Sequence, residues 1–280
     1  MNKLIKRSLS GIVFVSVLLV AMFVAWWSWA IIAGIISIGI SLEIAKLFKK
    51  IGIHNVNPML SISTVLIFIG AFSFFIGTAF YILSFSVWIL GFMLPFIQLL
   101  WKKQNLQNAI VTSIAAIYVG FPFGMSALLL WTGSNSPLGD SDIFNKQAFP
   151  YTLISLFILL WSFDSFAYIT GSLFGKHKIL PAISPKKSWE GFFGGLSLSI
   201  GVAFVLMQTW GILSFEKWIG LTIIIAAFGS IGDFLESKIK RIAQVKDSGN
   251  IIPGHGGLFD RFDSFLMIIP FATAYLLIVS

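Results

Sequence analysis

The stretch "YTLISLFILLWSFDSFAYITGSLF", residues 151–174, is apolar along almost its whole length and contains a single charged side chain, Asp164. A helix that crosses a bilayer needs roughly 20 consecutive, predominantly apolar residues, so this stretch predicts a membrane-spanning helix. Ionisable side chains inside such a segment are costly and usually functional. We therefore expect a helical membrane protein in which Asp164 contributes to a binding or catalytic site.

The composition of the whole chain agrees with a protein that lies mainly in the bilayer. Of its 280 residues, 57% are hydrophobic and 11% are charged, whereas soluble domains carry roughly 25% charged residues. The absence of cysteine excludes disulfides and thiolate metal sites. Apolar runs predict an all-α, polytopic transmembrane helical bundle of about nine spans, near residues 8–25, 27–47, 59–78, 80–100, 108–131, 151–174, 190–213, 217–236 and 262–279.

The charges predict how this bundle is oriented. With nine spans and a cytoplasmic N-terminus, only Lys146 and Lys217 of the 19 basic residues fall outside, as the positive-inside rule requires. Most acidic residues fall on the cytoplasmic side as well, although the rule does not demand it. We expect one integral membrane domain, 1–280, in which 1–150 supplies N-terminal spans and 151–280 supplies spans and cytoplasmic loops carrying the active site. The first span is expected to be retained, because no clear small-residue cleavage site follows it.

A basic loop follows the opening stretch, "FGKHKILPAISPKKSWEG", residues 174–191. Lysines close to glycines and serines suit phosphate oxygens, which accept many hydrogen bonds. For Lys176 and Lys178, a loop that touches lipid headgroups explains the charge equally well. Lys186 and Lys187 are stronger candidates for phosphate binding, because the neighbouring serines and Glu190 add groups that a topological signal does not need.

A second polar stretch, "GDFLESKIKRIAQVKDSGNIIPGHGGLFDRFDS", covers residues 232–264. Asp233 and Glu236 are three residues apart and share a helix face, as do Asp260 and Asp263 at the start of the last span. Several carboxylates without cysteine favour Mg²⁺ over zinc, because the three histidines lack ligand spacing. The glycines around His255 let backbone amides approach phosphates.

Two features of these acidic residues have a structural alternative. Asp260 and its neighbour Arg261 could form a surface ion pair in a solvated loop. Glu43 is followed by Lys46 at helical spacing. A structural ion pair is therefore favoured over a catalytic role for Glu43.

From Ser237 to Asp263 the chain follows one pattern without a gap. The pattern is S-x-x-K-R, four residues, K-D, a short stretch with glycine and proline, H-G-G, one apolar residue, x-D-R and a final D. It resembles the signature of the phosphatidate cytidylyltransferases, also called CDP-diacylglycerol synthases, and residues 164–191 resemble that family too. The resemblance implies a polytopic helical membrane enzyme that uses Mg²⁺ and joins CTP to phosphatidate, giving CDP-diacylglycerol and pyrophosphate.

The resemblance also implies roles, partners and a location. By motif position, Asp233 and Asp260 are the expected metal ligands, with Asp263 as a third. The implied catalytic residues are Asp233, Asp260, Asp263, Lys246, Asp247 and Arg261. The implied substrate-binding residues are Asp164, Lys176, Lys186, Lys187, Ser237, Lys240, Arg241, His255, Gly256 and Gly257. CTP, phosphatidate and the lipid bilayer are the expected partners, with a homodimer as one assembly and no nucleic acid, in a bacterial inner or cell membrane with the active site facing the cytoplasm.

Two rival functions stay open on the residues alone. An ion or lipid transporter would explain Asp164 as part of a transport path. The dense charge on one side fits that function poorly, and the sequence shows no paired inverted halves. A different lipid phosphotransferase, such as a polyprenol kinase, is the second rival.

Overall fold

Helices form nearly all of the chain that the computed structural model describes, which comprises residues 3–53, 56, 58–75, 81–100, 105–126, 129, 150–254 and 256–279. The helices are α1 Lys3–Val24, α2 Trp26–Lys50, α3 Met59–Phe75, α4 Tyr81–Ile97, α5 Leu106–Ser126, α6 Tyr151–Phe174, α7 Trp189–Trp210, α8 Phe215–Ile242 and α9 Phe259–Val279. A 3-10 turn, Gln98–Leu100, follows α4. A hairpin of β1 Lys178–Leu180 and β2 Ser184–Ser188 joins α6 to α7.

The predicted all-α membrane bundle is confirmed, and each described helix overlaps one predicted span. Seven helices are long and apolar enough to cross a membrane, and two shorter apolar helices, Ser8–Val24 and Met59–Phe74, accompany them. Large apolar side chains such as Ile12, Ile82 and Ile278 lie on the outside of the bundle, at 64%, 85% and 82% exposure. A lipid environment suits such a surface, so the chain is an integral membrane protein.

Two local predictions need correction or fall outside the described residues. The eighth span was predicted near residues 217–236, and its helix continues beyond that span to Ile242, after which Gln244 adopts a positive φ of 54°. The basic loop was not expected to form strands. His255 and Lys146, which was predicted to lie outside, are not in the described part of the chain.

Glycines bring α6 and α7 unusually close together. A Cβ atom at Gly195 would lie 2.8 Å from Cβ of Ala167, and one at Gly191 would lie 2.8 Å from the Ala167 carbonyl oxygen. Small residues at such contacts let helix backbones approach in lipid, where packing rather than the hydrophobic effect holds helices together. The close contact places the C-terminal end of α6 and the N-terminal end of α7 side by side, next to the hairpin.

An aromatic core joins the N-terminal helices to the C-terminal ones. The ring centroid of Phe265 in α9 lies 5.2 Å from that of Phe123 in α5 and 5.1 Å from that of Phe157 in α6. It lies 6.5 Å from the ring centroid of Trp29 in α2. The indole Nε1 of Trp29 donates to Ser126 Oγ at 2.8 Å. Helices from both parts of the chain therefore share one core.

Contacts at the helix ends show which ends meet. At one end, the last part of α2 contacts the segment that leads into α9. At the other end, the Lys217 Nζ of α8 donates to the Val279 carbonyl oxygen of α9. With 28 residues, α8 is about 42 Å long at 1.5 Å per residue, which exceeds the roughly 30 Å hydrocarbon core. α8 is therefore longer than a helix needs to be to cross the apolar layer.

Candidate active site

A polar cleft of about 740 Å³ opens where the hairpin meets the ends of α6, α7, α8 and α9. Its walls also contain apolar and small residues of α6 and α7, including Phe163, Ala167 and Phe192. The structure brings seven charged side chains to this cleft: Asp164, Lys178, Lys186, Lys187, Asp233, Asp260 and Asp263. Six of them belong to the predicted site, and Lys178 is the additional one.

Three carboxylates form a tight group beside the cleft. Each of Asp233, Glu236 and Asp263 offers an oxygen atom, and these atoms lie within 4.8 Å of one another. Glu236 is only 1% exposed, and its Oε1 atom has no hydrogen-bond partner among the described residues. Like charges at this separation repel, and a buried unpaired carboxylate oxygen is costly. A divalent cation would relieve both penalties, and an all-oxygen donor set suits Mg²⁺.

Asp260 neighbours this group through Lys240 but differs from it, because protein donors surround both of its oxygens. Its Oδ1 accepts from Lys240 Nζ at 2.7 Å. Its Oδ2 accepts from the Ser248 and Gly257 backbone N–H groups at 3.0 and 2.9 Å, and Ser248 Oγ lies 3.0 Å away. Lys240 also pairs with Glu236 at 2.6 Å. The described geometry thus groups Glu236, rather than Asp260, with Asp233 and Asp263, and Asp260 as a ligand stays a prediction.

The hairpin carries the basic side of the cleft. Lys187 forms an ion pair with Asp233 of α8, and its Nζ lies 5.0 Å from the centroid of the Phe234 ring. Ser188 caps α7, since its Oγ accepts from the Gly191 N–H at 3.2 Å. Lys186 also lines the cleft. The basic groups are therefore held against the acidic face of α8.

Glu190, in the first turn of α7, holds the base of the hairpin. Its carboxylate accepts from the backbone N–H groups of Lys176 and His177 at 3.1 Å, and its Oε1 lies 2.5 Å from His177 Nδ1. Lys176 is exposed and does not line the cleft. The structure therefore gives Lys176 no clear place in substrate binding, although its backbone helps to fix the hairpin.

Some of the other predicted site residues lie close to the carboxylates of the site, whereas the rest are exposed and do not line the cleft. Ser237 Oγ donates to Asp233 Oδ1 at 3.3 Å, so Ser237 contacts the acidic group from one helical turn away. Gly256 has a φ of 89°, a conformation that favours glycine. The remaining side chains are exposed and do not line the cleft: Arg241, Lys246, Asp247 and Arg261.

Three functional candidates were missed or misplaced by sequence reasoning. Glu236 was recognised as sharing a face with Asp233 but was not placed in the site. Glu43 was expected to pair with Lys46, yet its carboxylate binds the segment before α9. The Tyr118 hydroxyl of α5 lies 3.4 Å from the backbone carbonyl oxygen of Asp263. Spacing could have identified Glu236, whereas the contacts of Glu43 and Tyr118 join distant parts of the chain.

The fold and the cleft define a class, that of polytopic membrane proteins with a carboxylate and lysine site at one end of the helical bundle. The chain belongs to the cytidylyltransferase family, whose sequence model matches residues 5–279. This match confirms the resemblance that the signature indicated.

Similar curated proteins carry a more specific name. Over 120 residues the chain is 50% identical to a phosphatidate cytidylyltransferase of Staphylococcus epidermidis, 48% to that of Staphylococcus saprophyticus and 45% to that of Staphylococcus aureus. Each alignment covers 42% of this chain and 46% of the relative. The aligned part thus spans slightly less than half the length of these relatives.

Proposed function

We propose that the protein is a phosphatidate cytidylyltransferase of a bacterial cell membrane, which joins CTP to phosphatidate. The observation that carries this proposal is the cleft, in which the signature residues of α8 and α9 face the lysines of the hairpin. An acidic group suits a metal–nucleotide complex, and the apolar wall from α6 and α7 suits a lipid. The names of the staphylococcal relatives support the same activity.

The proposed reaction needs charge neutralisation more than proton transfer. A phosphate oxygen of phosphatidate attacks the α-phosphorus of CTP, and the bond from that phosphorus to the bridging oxygen breaks. The electron pair leaves with pyrophosphate, and CDP-diacylglycerol is the second product. The nucleophile is already an anion, so the chain need not supply a strong base. Lys186 and Lys187, which line the cleft, would bind phosphate oxygens and reduce the repulsion between the two substrates.

We propose Mg²⁺ as the divalent cation of this site. Asp233, Glu236 and Asp263 would hold it in the described geometry, whereas the family resemblance favours Asp233 and Asp260. When bound, the ion would neutralise phosphate charge and orient the reacting groups. Asp260 would first have to exchange protein donors, such as Lys240, for the ion.

The active site is proposed to face the cytoplasm, where CTP is available. The cleft lies at the end of the bundle that carries the hairpin lysines, and Lys217 lies at the opposite end. Reporter fusions at both chain ends should place the N-terminus inside and the C-terminus outside. Finding both on one side would contradict nine spans. The homodimer stays a prediction, because only one chain is described.

A substrate test with purified protein separates this function from its rivals. In detergent with Mg²⁺, CTP and phosphatidate should yield CDP-diacylglycerol and pyrophosphate in equal amounts. A polyprenol kinase would instead phosphorylate a polyprenol and release CDP. A transporter would move an ion or lipid across liposomes without consuming CTP. Absence of CDP-diacylglycerol from folded protein would refute the proposed activity.

A further inference from the structure

Glu43 of α2 is a buried carboxylate that binds the start of a helix more than 200 residues away in the chain. The residue is 1% exposed. Its Oε1 accepts from the Leu258 N–H at 3.0 Å, and its Oε2 accepts from the Phe259 N–H at 2.9 Å. Ser248 Oγ lies 2.9 Å from Oε2. Glu43 thus connects α2, the glycine-rich segment and α9.

These contacts serve as the N-terminal cap of α9. The first N–H groups of a helix have no partner within the helix, and a serine or aspartate at the N-cap position usually accepts from them. Leu258 occupies that position here and has no side-chain acceptor, so Glu43 supplies the oxygens from another helix. A negative charge is also favourable at a helix N-terminus. The buried charge is therefore held by neutral donors and by the helix itself.

Two glycines leave room for this carboxylate. A Cβ atom at Gly249 would collide with the carboxylate atoms of Glu43, and one at Gly257 would collide with both Glu43 and Ser248. Neither glycine has a positive φ among the described residues, so space rather than backbone conformation explains them. The segment between α8 and α9 is thus packed around the Glu43 side chain at Gly249 and Gly257.

Glu43 is linked to the cleft through a short series of contacts. Ser248 Oγ lies between Glu43 Oε2 and Asp260 Oδ2, at 2.9 and 3.0 Å. Asp260 in turn binds Lys240, which pairs with Glu236 of the acidic group. Asp263 lies one helical turn further along α9. A displaced α9 N-terminus would therefore shift the carboxylates of α9 relative to those of α8.

We propose that Glu43 is a positioning residue, which fixes the start of α9 so that its carboxylates face those of α8 across the cleft. This inference rests on the proposed function only for its effect on turnover. Its effects on the order of the 246–259 segment and on cation binding do not depend on the reaction. The role lies in the N-terminal part of the chain, which was expected to supply spans alone.

The test compares Glu43→Gln and Glu43→Ala with Ser41→Ala as a matched control. Ser41 is also a fully buried polar residue of α2, but it bonds to Ile38 and Ser61 rather than to the 246–259 segment. Three quantities are measured on purified protein: deuterium uptake of residues 246–259, Mn²⁺ affinity by electron paramagnetic resonance, and kcat and KM for CTP and phosphatidate. The unfolding midpoint is recorded for each variant.

We expect both Glu43 variants to exchange faster at residues 246–259 and to bind Mn²⁺ more weakly, with Ser41→Ala resembling wild type. Glu43→Ala should lower kcat by about 10²-fold, since a misplacement of about 1 Å can cost that much. Glu43→Gln keeps one acceptor oxygen, so its loss should be smaller. If Glu43→Ala does not fold, Glu43→Gln carries the test.

Two results separate the possible failures. Glu43 variants with wild-type deuterium uptake and Mn²⁺ affinity would overturn the positioning role, as would a lower unfolding midpoint with unchanged kcat and Mn²⁺ affinity. Wild-type protein that makes no CDP-diacylglycerol would refute the proposed function instead. The deuterium and Mn²⁺ measurements would still decide the role of Glu43 in that case.

Discussion

Two sets of carboxylates lie near each other at the same end of the bundle, yet their surroundings differ. Glu43 and Asp260 accept hydrogen bonds at both oxygens from the segment between α8 and α9 or from Lys240. Asp233, Glu236 and Asp263 crowd together; Asp233 contacts Ser237 and the part-exposed Lys187, but Glu236 keeps one buried oxygen without a partner among the described residues. We call the first pair the holding carboxylates, although Asp260 also lines the cleft, and the second trio, which lies in or directly beside the cleft, the cleft carboxylates.

The difference indicates that the two sets of carboxylates have different roles, one structural and one in cation binding. A carboxylate whose oxygens are already satisfied stabilises the local structure, because removing it leaves buried donors without acceptors. Carboxylates that repel one another cost stability unless a cation binds between them. The holding carboxylates should therefore affect folding and activity together, whereas the cleft carboxylates should affect activity and cation binding alone.

The largest effect is expected for Asp233→Asn. The change keeps the shape of the side chain but removes its charge, so cation binding weakens while the unfolding midpoint stays near wild type. Turnover should fall by about 10²-fold or more, which corresponds to several kcal/mol of lost stabilisation. Mg²⁺ titrations of purified protein check this, with Glu216→Gln at the opposite end of α8 as a charge control. Unchanged turnover and Mg²⁺ dependence would remove Asp233 from the site.

Asp260→Asn tests whether Asp260 acts as a holding carboxylate or as a cleft carboxylate. Sequence alone predicts that this variant folds normally and loses activity as a metal ligand. The contacts predict a loss of stability as well, of about 1–3 kcal/mol, because Lys240 and two backbone donors lose a charged acceptor. Activity should fall by up to about 10²-fold through misplacement. Thermal unfolding and Mg²⁺ titration of the variant distinguish the two roles. A normal unfolding midpoint with an altered Mg²⁺ dependence would show that Asp260 acts as one of the cleft carboxylates.

Lys187→Ala probes the basic wall that faces the cleft carboxylates. Removing a phosphate-binding cation should raise the KM for CTP or phosphatidate by about tenfold, equivalent to roughly 1.4 kcal/mol. The ion pair with Asp233 is part-exposed, so little stability should be lost. Steady-state kinetics of Lys187→Ala, Lys186→Ala and the double variant measure the effect. Lys238→Ala, which removes an exposed charge of α8, is the control. Wild-type kinetics in the double variant would mean that the hairpin lysines act only as a topological signal.

A smaller effect is expected for Glu190→Gln, which changes the support of the hairpin rather than the cleft. The amide keeps the shape but loses the charge that holds His177 and the adjacent backbone. The weaker support of the hairpin should raise the KM for CTP by about fivefold, less than the loss of a phosphate-binding lysine. Kinetics at constant Mg²⁺ test this. A change in Mg²⁺ dependence instead would show that Glu190 influences the cleft carboxylates directly.

Most helices were predictable from sequence because their apolar runs are long and bounded by charge or glycine. Tyr151–Phe174 has the predicted bounds. The end of α8 was less predictable, since Ala243 and Gln244 carry no strong stop signal and the chain turns there through a positive φ. The hairpin was missed because β2 is short and lacks the alternating apolar pattern of a strand.

The site was predictable as a set of residues but not as a set of contacts. Motif spacing identified Asp233, Asp260 and Asp263, and the cleft contains all three. Their different surroundings depend on tertiary contacts, such as those of Lys240 with two acids from different helices. The contacts of Glu43 span more than 200 residues and leave no local pattern. Sequence spacing alone therefore could not separate holding from cleft carboxylates.

The close contact of α6 and α7 has a consequence for the lipid substrate that the proposed function requires. Backbone and single methyl groups, at Ala167, Gly191 and Gly195, set the gap between these helices, so no side-chain rotation can widen it. Under the proposed function, this fixed wall would limit the size of the lipid headgroup, and tolerance for larger headgroups would have to come from the hairpin side. Engineering of lipid selectivity should begin at the hairpin, because a bulkier residue at either glycine would force the two helices apart.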